Sequence, residues 1–228
     1  KLHLLVTGLV FPEEMSDVQK AQIESGIFLD INTNAKPVPP DVLLHIKGLK
    51  APLSDIGIAR AVIERLNKEE IFLHMFELSA LDEGKIKIAS IIKFALRYLV
   101  TIEPKEKKNL FDYWNGDKNE LKQLNDQAYN SYIDFCVQQI RIYFSALRNS
   151  HMKEWNDPNS KLLSVISLNG FIIAYNRYID QKNLGDFEFF NNRFKDLHTD
   201  FTREKFPYTS SQYKKFSDEI LNNALLTV

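Results

Sequence analysis

Hydrophobic residues recur at helical spacing over most of this chain. The clearest pattern lies between positions 119 and 150, where apolar residues alternate steps of four and three. This spacing places them on one face of a helix. They are Tyr129, Ile133, Cys136, Ile140, Tyr143 and Leu147. The pattern predicts a long helix with one continuous buried stripe.

Shorter periodic segments predict further helices on both sides of this one. In "SDIGIARAVIERLNKE" (54–69), Ser54 or Asp55 caps the start and apolar residues recur at helical spacing. The remaining predicted helices cover residues 13–23 with an extension to 31, 41–47, 89–100, 161–179, 186–198 and 210–226.

One of these segments allows a second interpretation. Asn169 and Gly170 lie inside 161–179, so a hairpin of two apolar strands is an alternative. We favour the helix because the apolar stretch is long and its residues largely share one face. An internal glycine costs a helix only about 1 kcal/mol, which close packing at Gly170 can offset.

Strand patterns occur only in the first hundred residues. "LHLLVTGLV" (2–10) predicts a buried strand, and "IFLHMFEL" (71–78) with "KIKIAS" (85–90) predicts a hairpin with Gly84 in its turn. The charged segment "TIEPKEKKN" (101–109) contains a proline and is the predicted boundary. We therefore expect a mainly helical α+β protein, with a small sheet and helices in 1–103 and an all-helical domain in 104–228.

Composition limits the kinds of partner. The chain has 228 residues and a formal net charge of -1, so binding to DNA requires a local basic patch. No apolar run reaches the length of about 20 residues that spans a bilayer, and we expect no membrane partner. A single cysteine, Cys136, forms no internal disulfide, which fits a reducing cytoplasm.

Candidate chemistry is sparse. Cys136 lies among Ile133, Val137 and Ile140, which predicts a buried structural thiol. The five histidines are not paired at the spacing that places two ligands on one helix face. No phosphate-binding glycine loop, serine elbow or kinase-type signature occurs in the chain. We predict no metal site, no cofactor and no catalytic residue.

Basic residues beside the apolar stripes are candidates for phosphate contacts. Alone, each is typical of a solvated helix face, and only convergence of several in space would favour a phosphate site. The candidates are Arg141, Arg148 and Lys153, then Arg177 and Lys182, Arg193 and Lys195, and Lys214 and Lys215.

The stretch "FLDINTNAKPV" (28–38) ends a predicted helix with a polar cluster. Asparagines favour helix ends, and Pro37 disfavours helical geometry at the preceding residue. Side-chain amides also bind base edges, and a lysine binds phosphate. Both interpretations apply to the same residues, Asn32, Thr33, Asn34 and Lys36.

The order of these elements resembles the latter part of the DGQHR-domain family, which includes the DndB-type proteins of DNA phosphorothioate modification clusters. In that family a phenylalanine, two residues and Ile-Asn precede a small polar pair and a lysine. Matching positions here are Phe28, Ile31, Asn32, Thr33, Asn34 and Lys36. The later "SKLLSVISLNGFIIAYNRYI" is similar to the family's helical C-terminal region, so the resemblance covers most of residues 2–180.

The family's Asp-Gly-Gln-His-Arg signature does not occur in this sequence. We therefore expect the sequence to begin inside a longer protein, with the signature upstream of Lys1. The chain alone should then lack any activity that requires the signature.

The resemblance implies a ParB-like fold in the first part. It also implies a cytoplasmic, DNA-associated regulatory or accessory protein of a bacterial DNA modification or defence system, with DNA binding and transcriptional repression. Its partners would be DNA and other proteins of the modification cluster. The implied nucleic-acid or nucleotide site comprises Asn32, Thr33, Asn34 and Lys36, with Arg141, Arg148, Arg177 and Lys182 as further phosphate contacts.

Two alternatives and one question stay open. One alternative is a ParB-like nucleotidase or nuclease whose catalytic residues lie upstream, and the other is a helical protein-interaction module of a modification complex. The sequence also leaves open whether the protein forms a homo-oligomer.

Overall fold

The computed structural model of the protein describes residues 8–32, 40–78, 82, 86–105 and 107–226. These residues form a mainly helical α+β fold, as predicted, and the sheet consists of β1 (Phe76–Glu77) and β2 (Ile86–Lys87). The helices are α1 (Asp17–Asn32), α2 (Pro40–Lys50), α3 (Asp55–Leu66), α4 (Ile88–Ile91), α5 (Arg97–Val100), α6 (Leu110–Tyr113), α7 (Lys118–Lys122), α8 (Asp126–Ser150), α9 (Met152–Asn156), α10 (Val165–Gln181), α11 (Phe187–Phe194) and α12 (Tyr213–Ile220). A 3-10 turn covers Glu70–Phe72, and π-helical turns cover Ile92–Leu96 and Leu221–Leu225.

The two strands run parallel, so the hairpin predicted for 71–78 and 85–90 is wrong. The chain first makes a 3-10 turn and then a tight turn in which His74 has a φ of 56°. Asn67 Oδ1 accepts a hydrogen bond from Phe76 N at 2.9 Å. These local bonds precede β1, in which Phe76 pairs with Ile86 and Glu77 with Lys87.

The strand predicted for 2–10 lies largely outside the described residues. Its described part, residues 8–10, is exposed and does not belong to a strand.

Side-chain caps determine where the predicted helices begin. Ser54 Oγ accepts from Gly57 N at 3.0 Å, so α3 begins as the sequence predicts. The helix predicted from 119 begins at Asp126 instead, because Leu124 has a φ of 58° and interrupts the helical geometry. Asn125 then caps α8, which makes α7 a separate short helix.

The helix predicted for 161–179 forms as α10, capped by Ser164, and the alternative hairpin is wrong. Gly170 faces α12 at very short range. A Cβ atom at Gly170 would lie 2.5 Å from Cδ1 of Phe216, a side chain with no exposed surface. This close approach of two helices explains why a glycine is accommodated in the middle of α10.

Buried side chains from both sides of the 101–109 segment form one core. The rings of Phe72 and Phe144 lie 5.1 Å apart, and Tyr132 Oη donates to Val100 O at 2.7 Å. The stripe of α8 lies within this core, where Tyr143 stacks on Tyr175 at 4.5 Å. The division into domains 1–103 and 104–228 stays a prediction, and the two regions share their hydrophobic core.

Candidate nucleic-acid interface

A cleft of about 880 Å³ opens where the end of α5, the 101–109 segment, α10 and α12 meet. Its volume lies within the range of ligand-binding pockets, roughly 300–1,000 Å³. We call it the basic cleft. Its lining residues are Asp55, Phe94, Ala95, Arg97, Tyr98, Thr101, Glu103, Pro104, Lys105, Lys107, Ile173, Asn176, Arg177, Tyr213, Lys214, Ser217 and Asp218.

Aromatic rings form one wall of the basic cleft. Phe94 and Tyr98 are one helical turn apart, and 39% and 50% of their surfaces are exposed. Phe94 stacks on Tyr213 of α12 at 5.7 Å, which joins two walls of the cleft. The Arg97 guanidinium lies 4.6 Å from the centre of the Tyr98 ring and is an ion-pair partner of Asp55 at 3.5 Å.

The backbone explains why these rings point outward. Phe94 lies in the π-helical turn Ile92–Leu96, between α4 and α5. Ile92, Ala95 and Leu96 take the buried positions of this turn. π-helical turns occur frequently at functional sites because they alter which side chains a helix presents.

Positive charge is concentrated in the basic cleft. Among the described residues, five cationic and three acidic residues line it, a surplus of two positive charges in a chain whose net charge is -1. Arg97 and Arg177 have acidic partners. Among the described residues, no carboxylate pairs with Lys105, Lys107 or Lys214, and all three lysines are exposed. We call these the three cleft lysines.

Hydrogen bonds made by Asn109 and Lys108 hold the end of the 101–109 segment in place. Asn109 is almost fully buried, and its Nδ2 donates to Thr101 O at 2.8 Å and Tyr98 O at 3.2 Å. Its Oδ1 accepts from Phe111 N, which caps α6. Lys108 N donates to Asp180 Oδ1 at 3.0 Å, which fastens the segment to α10. The segment predicted as a boundary therefore positions Lys105 and Lys107.

The wall formed by α10 and α12 contains one of the predicted site residues, Arg177. Its guanidinium pairs with Asp218 and donates to Ser217 Oγ at 3.2 Å. Asn176 also lines the cleft, and its Oδ1 is buried, with no hydrogen-bond donor among the described residues.

Arg141 and Arg148 meet at a different cavity, of about 320 Å³. Each faces a glutamate: Arg141 Nη1 lies 3.2 Å from Glu69 Oε2, and Arg148 Nη1 lies 3.6 Å from Glu70 Oε1. These carboxylates neutralise the positive charge of the two arginines, which would otherwise attract a phosphate. Lys182 ends α10 and is exposed, and it lines neither cavity. The structure therefore places the four predicted basic residues at three separate positions: Arg141 with Arg148, Arg177 alone and Lys182 alone.

The polar cluster predicted from 28–38 lies almost wholly outside the described residues. Asn32 is the last residue of α1, and its side chain, Thr33, Asn34 and Lys36 are not among the described parts. Their assignment to a nucleic-acid or nucleotide site stays a prediction.

Sequence reasoning missed the aromatic wall and the two lysines of the 101–109 segment that line the cleft, Lys105 and Lys107. A signal was present in the predicted helix 89–100, where Phe94 and Tyr98 share a face with Lys93 and Arg97. Two aromatic residues on the polar face of an amphipathic helix are not explained by burial. Lys214 lies in the same cleft only because of tertiary packing, and no local sequence pattern indicates this.

Other kinds of site have less support in the described part of the chain. It contains no group of three or more His, Cys, Asp or Glu residues placed to hold a metal ion. Within the same ranges, no helix is both long and apolar enough to cross a bilayer.

No protein-family model, curated protein or solved structure matches the chain. The geometry of the cleft and the sequence resemblance are therefore the observations that bear on function.

Proposed function

We propose that this protein is a DNA-associated regulatory or accessory protein of a bacterial DNA modification or defence system, and that it binds DNA through the basic cleft. The observation that carries the proposal is the convergence in one cleft of exposed aromatic rings and three exposed lysines, which pair with no carboxylate of the described residues. Lysines neutralise backbone phosphates, and this supplies most of the sequence-independent affinity for DNA.

The resemblance to the DGQHR-domain family supports the biological setting of this proposal. It also adds Asn32, Thr33, Asn34 and Lys36 as a second group of proposed contacts. The cleft supports the binding mode, because cations from three separate parts of the fold surround one concave surface.

The test compares two double variants by fluorescence anisotropy with labelled DNA between about 50 and 200 mM salt. Lys105→Ala with Lys107→Ala removes two cleft lysines. Lys68→Ala with Lys122→Ala is the matched control, since both residues are exposed and neither lines the cleft.

The native protein should bind DNA with a steep dependence on salt. The cleft variant should bind more weakly, and its salt slope should fall by about 1 for each lost phosphate contact. The control variant should bind like the native protein. Absent binding, salt-independent binding or equal losses in the two variants would overturn the proposal.

A further inference from the structure

The basic cleft presents features that a DNA duplex cannot use. In a duplex each base is stacked on its neighbours and its Watson–Crick edge is paired, so exposed aromatic rings have no free base to stack on. Tyr98 and Phe94 nevertheless expose 50% and 39% of their surfaces at the cleft. Proteins that bind single strands combine such rings with a positively charged groove.

The cleft lysines lie beside the aromatic rings, and a DNA single strand likewise has its phosphates beside its unpaired bases. Lys105 and Lys107 lie on one wall of the cleft and Lys214 lies on another. Phe94 and Tyr98 lie in the π-helical turn Ile92–Leu96 and in α5, which form the aromatic wall. Arg97 lies 4.6 Å from the centre of the Tyr98 ring, so the arginine covers part of the aromatic surface. Arginine and aromatic planes both stack on unpaired bases.

We infer that the basic cleft binds single-stranded DNA, with an unpaired base stacked on Tyr98 and the backbone phosphates held by the three cleft lysines. This inference rests on the proposed function, and it specifies the form of DNA that the cleft takes. A DNA-associated protein of this kind would act where the duplex is opened.

The test measures anisotropy with four probes of equal length: an oligo-dA strand, a mixed-sequence single strand, a hairpin duplex and an abasic strand. The abasic strand keeps the phosphates and lacks the bases. The proteins are the native chain, Tyr98→Ala, Tyr98→Phe, and Lys105→Ala with Lys107→Ala. Tyr98 is half exposed, and far-UV circular dichroism verifies that each variant is folded.

The native protein should bind both base-containing single strands more tightly than the duplex or the abasic strand. Tyr98→Ala should weaken binding to those strands roughly 5- to 150-fold, the loss expected for one stacked base. Tyr98→Phe keeps the ring and should bind like the native protein. Tyr98→Ala should leave binding to the abasic strand unchanged.

Two other outcomes would overturn the inference, and they differ from failure of the proposed function. The first is that the native protein binds duplex or abasic DNA as tightly as the single strands. The second is that Tyr98→Ala binds like the native protein. If the lysine variant still loses affinity in either case, the cleft binds DNA and the single-strand inference is wrong. If no probe binds, the proposed function fails as well.

Discussion

The single cysteine shows how burial determines reactivity at one residue. Cys136 lies in the core with no exposed surface, and burial raises the pKa of its thiol to about 12, although a hydrogen bond with the Tyr132 side chain acts in the opposite direction. The thiolate is the reactive form, so this cysteine should be inert in the folded protein.

We predict that iodoacetamide at about pH 8 leaves the native protein unmodified and alkylates the denatured protein completely. Mass spectrometry of the intact chain measures both. Rapid, stoichiometric alkylation of the native protein would contradict the buried position of Cys136.

His151 should make folding sensitive to acid. Burial lowers the pKa of His151, and its hydrogen bond to Phe194 O, at 3.1 Å, and nearby Glu154 only partly offset this effect, while His198 adds to it. The unfolded chain therefore binds a proton that the folded protein does not bind as pH falls below about 6.5. Stability from this group is present at higher pH and is lost on acidification.

We expect the free energy of unfolding to fall more between about pH 8 and pH 5 in the native protein than in His151→Gln. Glutamine can still donate to the carbonyl of Phe194, and it does not titrate. Urea denaturation at each pH provides the measurement. An equal loss in both proteins would show that His151 makes no contribution.

At the scale of an element, α10 and α1 each contain a glycine in a different environment. A Cβ atom at Gly170 would lie 2.5 Å from the buried ring of Phe216, whereas one at Gly26 would meet nothing within 4 Å. Alanine is the better helix former by about 1 kcal/mol, and overpacking a core costs about 1–3 kcal/mol.

Gly170→Ala should therefore lower the free energy of unfolding, and Gly26→Ala should leave it unchanged or raise it by up to about 1 kcal/mol. Denaturant titration of the two variants and the native protein measures the difference. The account of helix packing is wrong if Gly170→Ala is as stable as the native chain.

Helices were predictable from the sequence because their apolar spacing and their caps are local. Ser54 caps α3 as predicted, and the buried stripe of α8 runs through Ile133 and Tyr143 as the periodicity indicates. The start of the long helix at Asp126, later than the predicted 119, was missed because it depends on a positive φ at Leu124. The predicted hairpin was wrong because the strands pair in parallel, and β1 follows a hydrogen bond from Phe76 N to the Asn67 side chain that no strand pattern indicates.

The candidate site was less predictable than the helices. Arg177 and Lys214 were singled out from the sequence, and the structure places both in the basic cleft. Their convergence with Tyr98 and Lys105 depends on the packing of α10 against α12 and on the buried Asn109. Contacts between residues so far apart in sequence leave no periodic pattern.

For the whole molecule, the shared core predicts cooperative unfolding. Phe72 contacts Phe144 and Trp155, which lie on the other side of the 101–109 segment, and Asn169 Nδ2 donates to Ser90 Oγ at 3.2 Å. Regions that share buried contacts unfold together. We expect a single urea transition that coincides by far-UV circular dichroism and tryptophan fluorescence. Two separate transitions would instead favour independent domains 1–103 and 104–228.

The most direct test of the central claim is lysine footprinting. An acetylating reagent modifies the protein with and without DNA, and mass spectrometry quantifies each lysine. DNA should protect Lys105, Lys107 and Lys214, which line the basic cleft, and leave the exposed Lys68 and Lys122 unprotected. Unchanged acetylation of the three cleft lysines under conditions where DNA is bound would contradict the assignment of this cleft as the DNA-binding site.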